Sequence, residues 1–232
     1  MRKAVGQFLQ HLLAERNASE LTLKSYREDL LALAAWLEEA NGRCPPPENI
    51  STLDLRGYVA ALHEAGYAKS TIARRLASLR SFFRFGQREG WAHANPAKPL
   101  RNPRKSRTLP HFLSSDEIIR LLEGPPLGDP MGLRDRAILE TLYSAGLRVG
   151  ELATMSDGDF NLDEGIVRVR GKGKRERLAP LGSHAVRALR RWLAKRRLSS
   201  RESSGASAPV FTNKFGRRLT VRSVARMLEK HL

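Results

Sequence analysis

The sequence has little of what builds disulfide frameworks or membrane spans. Cys44 is its only cysteine, so an intrachain disulfide is excluded and a reducing compartment is expected. The longest uninterrupted apolar run, residues 30–37, is too short to cross a bilayer, and the amphipathic N-terminus shows no cleavage-site pattern. These absences predict a cytoplasmic protein with no membrane partner.

The sequence also lacks the patterns of metal and nucleotide sites. Its six histidines are scattered without ligand spacing, and one cysteine cannot form a zinc finger. The two Gly-Lys pairs in residues 171–174 do not have the frame of a nucleotide-binding P-loop. We therefore expect no metal and no cofactor.

Positive charge, in contrast, is abundant. The 232 residues contain 41 Lys and Arg against 24 Asp and Glu, which gives a formal net charge of +17. Residues 1–100 contribute +4 and residues 101–232 contribute +13. Such an excess predicts a polyanionic partner, and nucleic acid is the most common one for a soluble protein. A basic protein associated with RNA or ribosomes fits the charge as well, but this alternative explains neither Arg148 nor the glycine-rich segment 171–177.

The first ninety residues predict an all-α domain of four helices. Cap and stop signals place them at about residues 2–16, from after Ser19 to about 40, from Ser51 or Thr52 to Gly66, and at about 70–88. On the fourth helix one face is apolar, and no acidic residue interrupts residues 65–88. The adjacent basic face predicts contacts with a DNA backbone, the alternative being a solvated surface; its members are Lys69, Arg80, Arg84 and Arg88, with Arg74 at the edge.

Residues 91–110 predict a stiff, cationic linker between two domains. The stretch 95–110 holds four prolines and five basic residues without an acid. Its side chains Arg104, Lys105 and Arg107 are candidate DNA contacts, although a plain solvated linker has the same composition.

Residues 111–232 predict an α+β domain, so that the whole chain is mainly α with a small β-sheet. A short capped helix and a longer one come first, and residues 183–197 and a segment capped by Thr220 predict two more. Between these pairs, residues 165–181 predict a β-hairpin with a glycine-rich tip.

Two features of this second domain carry possible chemistry. Arg148 lies among apolar and small residues in the stretch LYSAGLRVGEL, so we expect a buried guanidinium. A buried arginine needs either a carboxylate, for which Glu151 has the right spacing, or an arriving anion. At the hairpin tip, GKGKRER, a lysine is able to enter a groove or donate a proton, but such a tip is also typical of a soluble charged loop.

Together these motifs resemble one family. The order of the four-helix basic domain, the cationic linker, the arginine segment, the Gly-Lys-Gly hairpin and the last helix is similar to that of tyrosine recombinases of the Xer type, from the first helix to the last residue. The resemblance implies a SAM-like core-binding domain over 1–90 and a catalytic domain over 111–232. It also implies DNA cleavage and strand exchange through a 3′-phosphotyrosine bond, serving chromosome or plasmid dimer resolution or integration, without a metal or nucleotide.

The resemblance assigns roles to individual residues. Arg148 matches the arginine that holds the non-bridging oxygens of the scissile phosphate, with Glu151 as its supporting carboxylate. Lys172 matches the lysine that acts as general acid towards the leaving 5′ oxygen, and Lys174 takes this place if the register slips by two. Lys174 and Arg175 are also candidate DNA contacts. The partners implied are a duplex recombination site and a partner recombinase or further copies of the chain on DNA.

The chain departs from the family pattern at its end. The family's His-x-x-Arg box, a further histidine or tryptophan and the nucleophilic tyrosine all follow the helix that here ends at Leu232. Every tyrosine of this sequence precedes the arginine segment: Tyr26, Tyr58, Tyr67 and Tyr143. We therefore expect a C-terminally truncated chain that binds duplex DNA without cutting it and assembles weakly. The alternative is a non-catalytic DNA-binding regulator or accessory protein on the same fold, whereas type IB topoisomerases share the chemistry but not the four-helix domain.

Overall fold

The computed structural model describes residues 1–104, 112–171, 176–202 and 204–232. The chain divides into two compact units, Met1–Leu109 and Pro110–Leu232. The mainly helical architecture with a small sheet that the sequence predicts is confirmed. The predicted site residues Lys105, Arg107, Lys172, Lys174 and Arg175 lie outside the described residues.

The first unit contains four long helices, close to the predicted bounds: α1 (Arg2–Ala14), α2 (Glu20–Asn41), α3 (Thr52–Glu64) and α4 (Lys69–Arg88). The starts of α2 and α3 follow the local sequence chemistry. The Ser19 hydroxyl accepts a hydrogen bond from the backbone N–H of Thr22, and Ser51 and Asp54 form a reciprocal capping box. These caps satisfy N–H groups that a helix start leaves without an intrahelical partner.

The core of this unit is built on the apolar face of α4. Ile72, Leu76 and Phe83 of that face are fully buried, as the helical periodicity predicts. Phe8 of α1 meets the ring of Phe82 edge to face, with ring centroids 5.6 Å apart. The opposite face of α4 is thereby left to its polar and basic side chains.

The first part of the predicted linker packs against α4. Ala97 and Leu100 are buried in the core of the first unit. The Arg80 guanidinium donates hydrogen bonds to the carbonyl oxygens of both residues, at 3.3 and 2.6 Å, and to the Asn102 side chain at 3.0 Å. Apolar burial and these bonds explain why residues 91–102 lie on the unit although their prolines exclude regular structure.

The second unit combines five helices with a small antiparallel sheet in its described part. Its helices are α5 (Ser115–Glu123), α6 (Pro130–Ala145), α7 (Val149–Thr154), α8 (Ser183–Lys195) and α9 (Val221–His231). The strands β1 (Phe160–Asn161), β2 (Ile166–Arg170) and β3 (Glu176–Pro180) pair in the order β1-β2-β3. The short helix α7 and strand β1 are additions to the predicted pattern.

The predicted hairpin is formed by β2 and β3, and its register separates two faces. Val167 lies opposite Ala179 and Val169 lies opposite Arg177. Both valines and Ala179 are buried in the core, together with Trp192 of α8. Because side chains alternate along a strand, Arg177 shares the inward face with Ala179.

We predict that Gly132→Ala destabilises the second unit. Gly132 lies in the first turn of α6, and a methyl group there would collide with the backbone carbonyl oxygen of Pro126. Because backbone cannot rotate away as a side chain can, we expect a loss of about 1–3 kcal/mol in the free energy of unfolding. Urea unfolding followed by circular dichroism measures it.

Gly150→Ala is the matched control. Gly150 lies in α7, and apart from its chain neighbours and the backbone of its own helix no described atom is within 4 Å of the added methyl position. Alanine favours helix over glycine by up to about 1 kcal/mol, so this variant is expected to be neutral or slightly stabilised. Equal destabilisation of both variants would contradict the packing argument.

Candidate functional site

The Arg148 side chain is displayed at the surface by the connection between α6 and α7. Helix α6 ends at Gly146, which has the left-handed backbone conformation (φ +57°) that glycine adopts without strain. The following Leu147 turns inward and is buried, whereas the Arg148 side chain is 79% exposed. The expectation of a buried guanidinium was therefore wrong, because Leu147 takes the inward position.

Glu151 anchors this exposed arginine from inside. Its side chain is only 7% exposed and lies in the first turn of α7. One carboxylate oxygen accepts a hydrogen bond from the Arg148 guanidinium at 2.9 Å, and the other accepts from the Arg148 backbone N–H at 2.9 Å. The carboxylate thus caps α7 and orients the guanidinium at the same time.

Arg177 of β3, which is not among the predicted site residues, is the second partner of this carboxylate. Its guanidinium donates to both Glu151 oxygens, at 2.9 and 3.0 Å, in a two-point fork. A signal was present in the strand pattern. Position 177 shares the inward face of β3 with Ala179, and an arginine on an inward face needs an acid.

The two arginines keep Glu151 ionised. The hydrogen bonds from Arg177 contribute most to lowering the pKa of Glu151 from 4.5 to about 2; burial opposes them, and the backbone and side-chain bonds from Arg148 add to the lowering. Glu151 in turn raises the pKa of the Arg177 guanidinium. The site therefore holds one fixed negative charge between two positive ones.

The arrangement leaves most of the Arg148 guanidinium available. A guanidinium has five N–H donors, and within the described residues Arg148 commits only one of them, to Glu151. The side chain is 79% exposed, so its remaining donors are accessible to solvent while one guanidinium nitrogen is held by Glu151. A planar, partly fixed fork of this kind suits two oxygens of a phosphate group.

The described strands β2 and β3 flank the predicted hairpin lysines in the chain. Lys172, Lys174 and Arg175 lie outside the described residues. On either side of them, Arg170 of β2 donates to Glu176 of β3 at 3.2 Å. Arg177 follows immediately, so the hairpin is bound to Glu151 next to the segment that carries the predicted lysine.

The predicted DNA contacts of the first unit fall into two groups. Three arginines are engaged within the unit: Arg74 with the buried Asp29, Arg80 with the 97–102 segment, and Arg88 with Glu15 and Glu89. Lys69, Arg84 and Arg104 are exposed, and no hydrogen bond or ion pair to another described residue is found for them. Lys69 and Arg84 are therefore the residues of α4 best able to meet an outside anion.

Other kinds of site are not found in the described residues. They contain no cluster of three or more His, Cys, Asp or Glu side chains able to hold a metal ion. No helix among them is both long and apolar enough to cross a membrane.

The family models and the similar proteins all indicate the same family. Residues 5–90 match the phage integrase N-terminal SAM-like domain, and residues 111–232 match the phage integrase family. The chain is 42% identical to "Tyrosine recombinase XerC" of Pelobacter propionicus, covering 100% of this chain and 75% of that protein. It is 41% identical to the protein of the same name from Xanthomonas axonopodis, covering 95% and 73%.

A solved structure shares the fold. A lambda integrase dimer bound to a COC′ core site aligns with a TM-score of 0.70 over 100% of this chain and 80% of that one. The identity is 20%, so the likeness concerns the fold alone.

We predict that Glu151 stabilises the second unit in a pH-dependent way. Its pKa is about 2 when folded against 4.5 as the ordinary value. A lowered pKa means that the stabilisation is complete above pH 4.5 and is lost as the pH falls towards 2. The difference in unfolding free energy between wild type and Glu151→Gln is therefore expected to shrink over this range in urea titrations.

Glu164→Gln is the control for this titration. Glu164 is an exposed carboxylate in the turn between β1 and β2. It is more than ten positions from both Arg148 and Arg177 in the sequence. If its difference from wild type shrinks by the same amount, the effect belongs to carboxylates in general and the Glu151 interpretation is contradicted.

Proposed function

Because the chain belongs to the phage integrase family, the tyrosine recombinases, we propose that it acts in site-specific recombination by binding duplex DNA and holding the reacting phosphate on Arg148. The observation that carries this proposal is the exposed guanidinium anchored on a buried carboxylate. Here most donors face solvent, where a phosphate is able to reach them.

The chemistry proposed follows from the charges of the site. Two non-bridging oxygens of a phosphodiester would accept hydrogen bonds from Arg148, and the guanidinium charge would stabilise the additional negative charge of the transition state. When an attacking oxygen bonds to phosphorus, the bond from phosphorus to the 5′ oxygen breaks. Lys172, if it acts as the family resemblance implies, gives its proton to that leaving oxygen.

We assign the attacking oxygen to none of the four tyrosines. All of them precede the Arg148 segment in the chain, contrary to the family order. Tyr58 is buried, and its hydroxyl accepts a hydrogen bond from Arg75. For the residues described, the proposal covers DNA binding and phosphate activation.

The remaining parts of the proposal concern partners and location. The lambda integrase with this fold was solved as a dimer on its core site, and we propose that this chain likewise binds DNA with a second recombinase protomer. The proposal places the protein where the chromosome is, in the cytoplasm.

A non-catalytic DNA-binding regulator is the second candidate. The basic composition, with a formal net charge of +17, is equally consistent with such a protein, which would bind DNA without cutting it. Incubation with a nicked duplex recombination site, with a family segment that carries the nucleophilic tyrosine supplied in cis or in trans, separates the two functions. Covalent protein–DNA adducts that disappear in Arg148→Ala support recombinase chemistry, and binding without adducts supports the regulator.

The salt dependence of DNA binding tests the role of the first unit. We expect the double variant Lys69→Ala, Arg84→Ala to weaken binding to all duplex sequences alike, because backbone contacts carry no sequence information. If both side chains contact phosphates, the slope of log affinity against log salt should become shallower by about 2. Fluorescence anisotropy between low and moderate salt measures both quantities.

The control for this experiment is Arg190→Ala together with Lys195→Ala. These residues lie on α8 of the second unit, and the pair removes the same charge. An equal change of slope in the control would show that only net charge matters. Binding by the wild-type chain that does not change with salt would contradict the proposed function itself. Arg80 is left unchanged because its loss would release the 97–102 segment.

A further inference from the structure

Arg177 and Arg148 share one hydrogen-bond partner, the Glu151 carboxylate. Both Glu151 oxygens accept from Arg177, one guanidinium nitrogen to each oxygen. The same oxygens accept one side-chain and one backbone hydrogen bond from Arg148. Four hydrogen bonds thus converge on one carboxylate that is almost removed from water.

The two arginines differ in the number of guanidinium N–H donors that Glu151 leaves unused. Arg177 spends its two-point fork on Glu151, and its side chain is 41% exposed. Arg148 spends a single side-chain donor on the same group and is much more exposed. Arg177 supplies the full charge-assisted pairing that a buried carboxylate requires, so Arg148 does not have to supply it.

Without Arg177 this division would fail. Glu151 would remain buried and charged, with Arg148 as its remaining guanidinium partner among the described residues. An uncompensated buried charge is costly, so Arg148 would be drawn into a two-point pairing with Glu151. Its fork would then face the carboxylate, and fewer donors would remain for an outside anion.

We propose that Arg177 is a positioning residue, which occupies Glu151 so that Arg148 stays open to phosphate. The proposal rests on the proposed function, since it explains how the phosphate-binding guanidinium is kept free. Arg177 acts through Glu151. The Arg177–Glu151 pair also joins strand β3 to the start of α7. The two residues are 26 positions apart in the sequence.

Binding of inorganic sulfate to the full chain tests this without DNA. Sulfate is a tetrahedral dianion whose charge does not change between mildly acidic and neutral pH, and the Arg148 Nε–H resonance reports its binding by NMR at constant ionic strength. We expect Arg177→Gln to weaken sulfate binding at Arg148 about fivefold, a coupling typical of neighbours in one hydrogen-bonded network. Arg190→Gln, which breaks the exposed ion pair with Asp163, is expected to bind as wild type.

A double-mutant cycle with Glu151→Gln distinguishes positioning from direct contact. If Arg177 acts by occupying the carboxylate, Arg177→Gln should have almost no further effect once residue 151 is uncharged. If Arg177 binds the anion itself, the same fivefold loss should appear in both backgrounds, and the positioning role is overturned. A second readout is the Glu151 carboxyl pKa, which should rise in Arg177→Gln and stay unchanged in Arg190→Gln.

Two further outcomes separate the inference from the proposed function. Should Arg177→Gln not fold, Arg177→Lys takes its place: it keeps the charge but cannot span both oxygens, so weaker sulfate binding is expected and wild-type affinity overturns the inference. If the wild-type chain binds sulfate through Arg148 and Arg177→Gln binds it equally well, the positioning role fails alone. If Arg148→Ala leaves sulfate binding, measured by titration calorimetry, unchanged from wild type, the proposed phosphate site fails as well.

Discussion

One carboxylate determines the geometry of the second unit's candidate site. Glu151 joins the first turn of α7, the Arg148 side chain and strand β3 through four hydrogen bonds. Exposure rises from 7% at Glu151 to 41% at Arg177 and 79% at Arg148, so the negative charge lies inside and the positive charge outside. The network therefore presents a cation to solvent while its counter-charge is hidden, which is the arrangement that favours an arriving anion.

The high net charge does not by itself give a binding surface. Of the basic residues predicted on α4, Arg74, Arg80 and Arg88 are held by partners within their own unit. Arg88 lowers the pKa of Glu15 to about 2, with His11 adding to the effect, although both members of the Arg88–Glu15 pair are about half exposed and solvent screens their attraction. The charge available to a partner is smaller than composition suggests, and it is concentrated on side chains without an internal acid.

Much of the fold was predictable because local chemistry decides it. Helices α2, α3 and α9 begin directly after Ser19, Ser51 and Thr220, whose short polar side chains cap the backbone. The hairpin follows from alternation around a glycine-rich tip. The packing of residues 91–102 on α4 was not predictable, since it depends on three hydrogen bonds from Arg80 to acceptors at least 17 residues away.

The candidate site was predictable in part, for the same reason. The spacing of Arg148 and Glu151 is local, and their pairing was one of the two expected possibilities. The exposure of Arg148 was mispredicted because its apolar neighbours suggested burial. In the structure Leu147 is buried and the next side chain, Arg148, is exposed. Arg177 was missed although it shares the inward face of β3 with Ala179, because the acid that pairs with it comes from a different part of the chain.

Helix α7 is so short that it depends on the same Glu151 hydrogen bonds as the Arg148 side chain. A helix of six residues cannot persist on its own, because its nucleation is not repaid by enough internal hydrogen bonds. It is held by the burial of Leu152 on one side and by the Glu151 cap at its start. The same hydrogen bonds therefore stabilise the helix and orient the guanidinium. A change that unwinds α7 removes the Arg148 geometry with it, so in this unit local stability and the candidate chemistry depend on a single carboxylate.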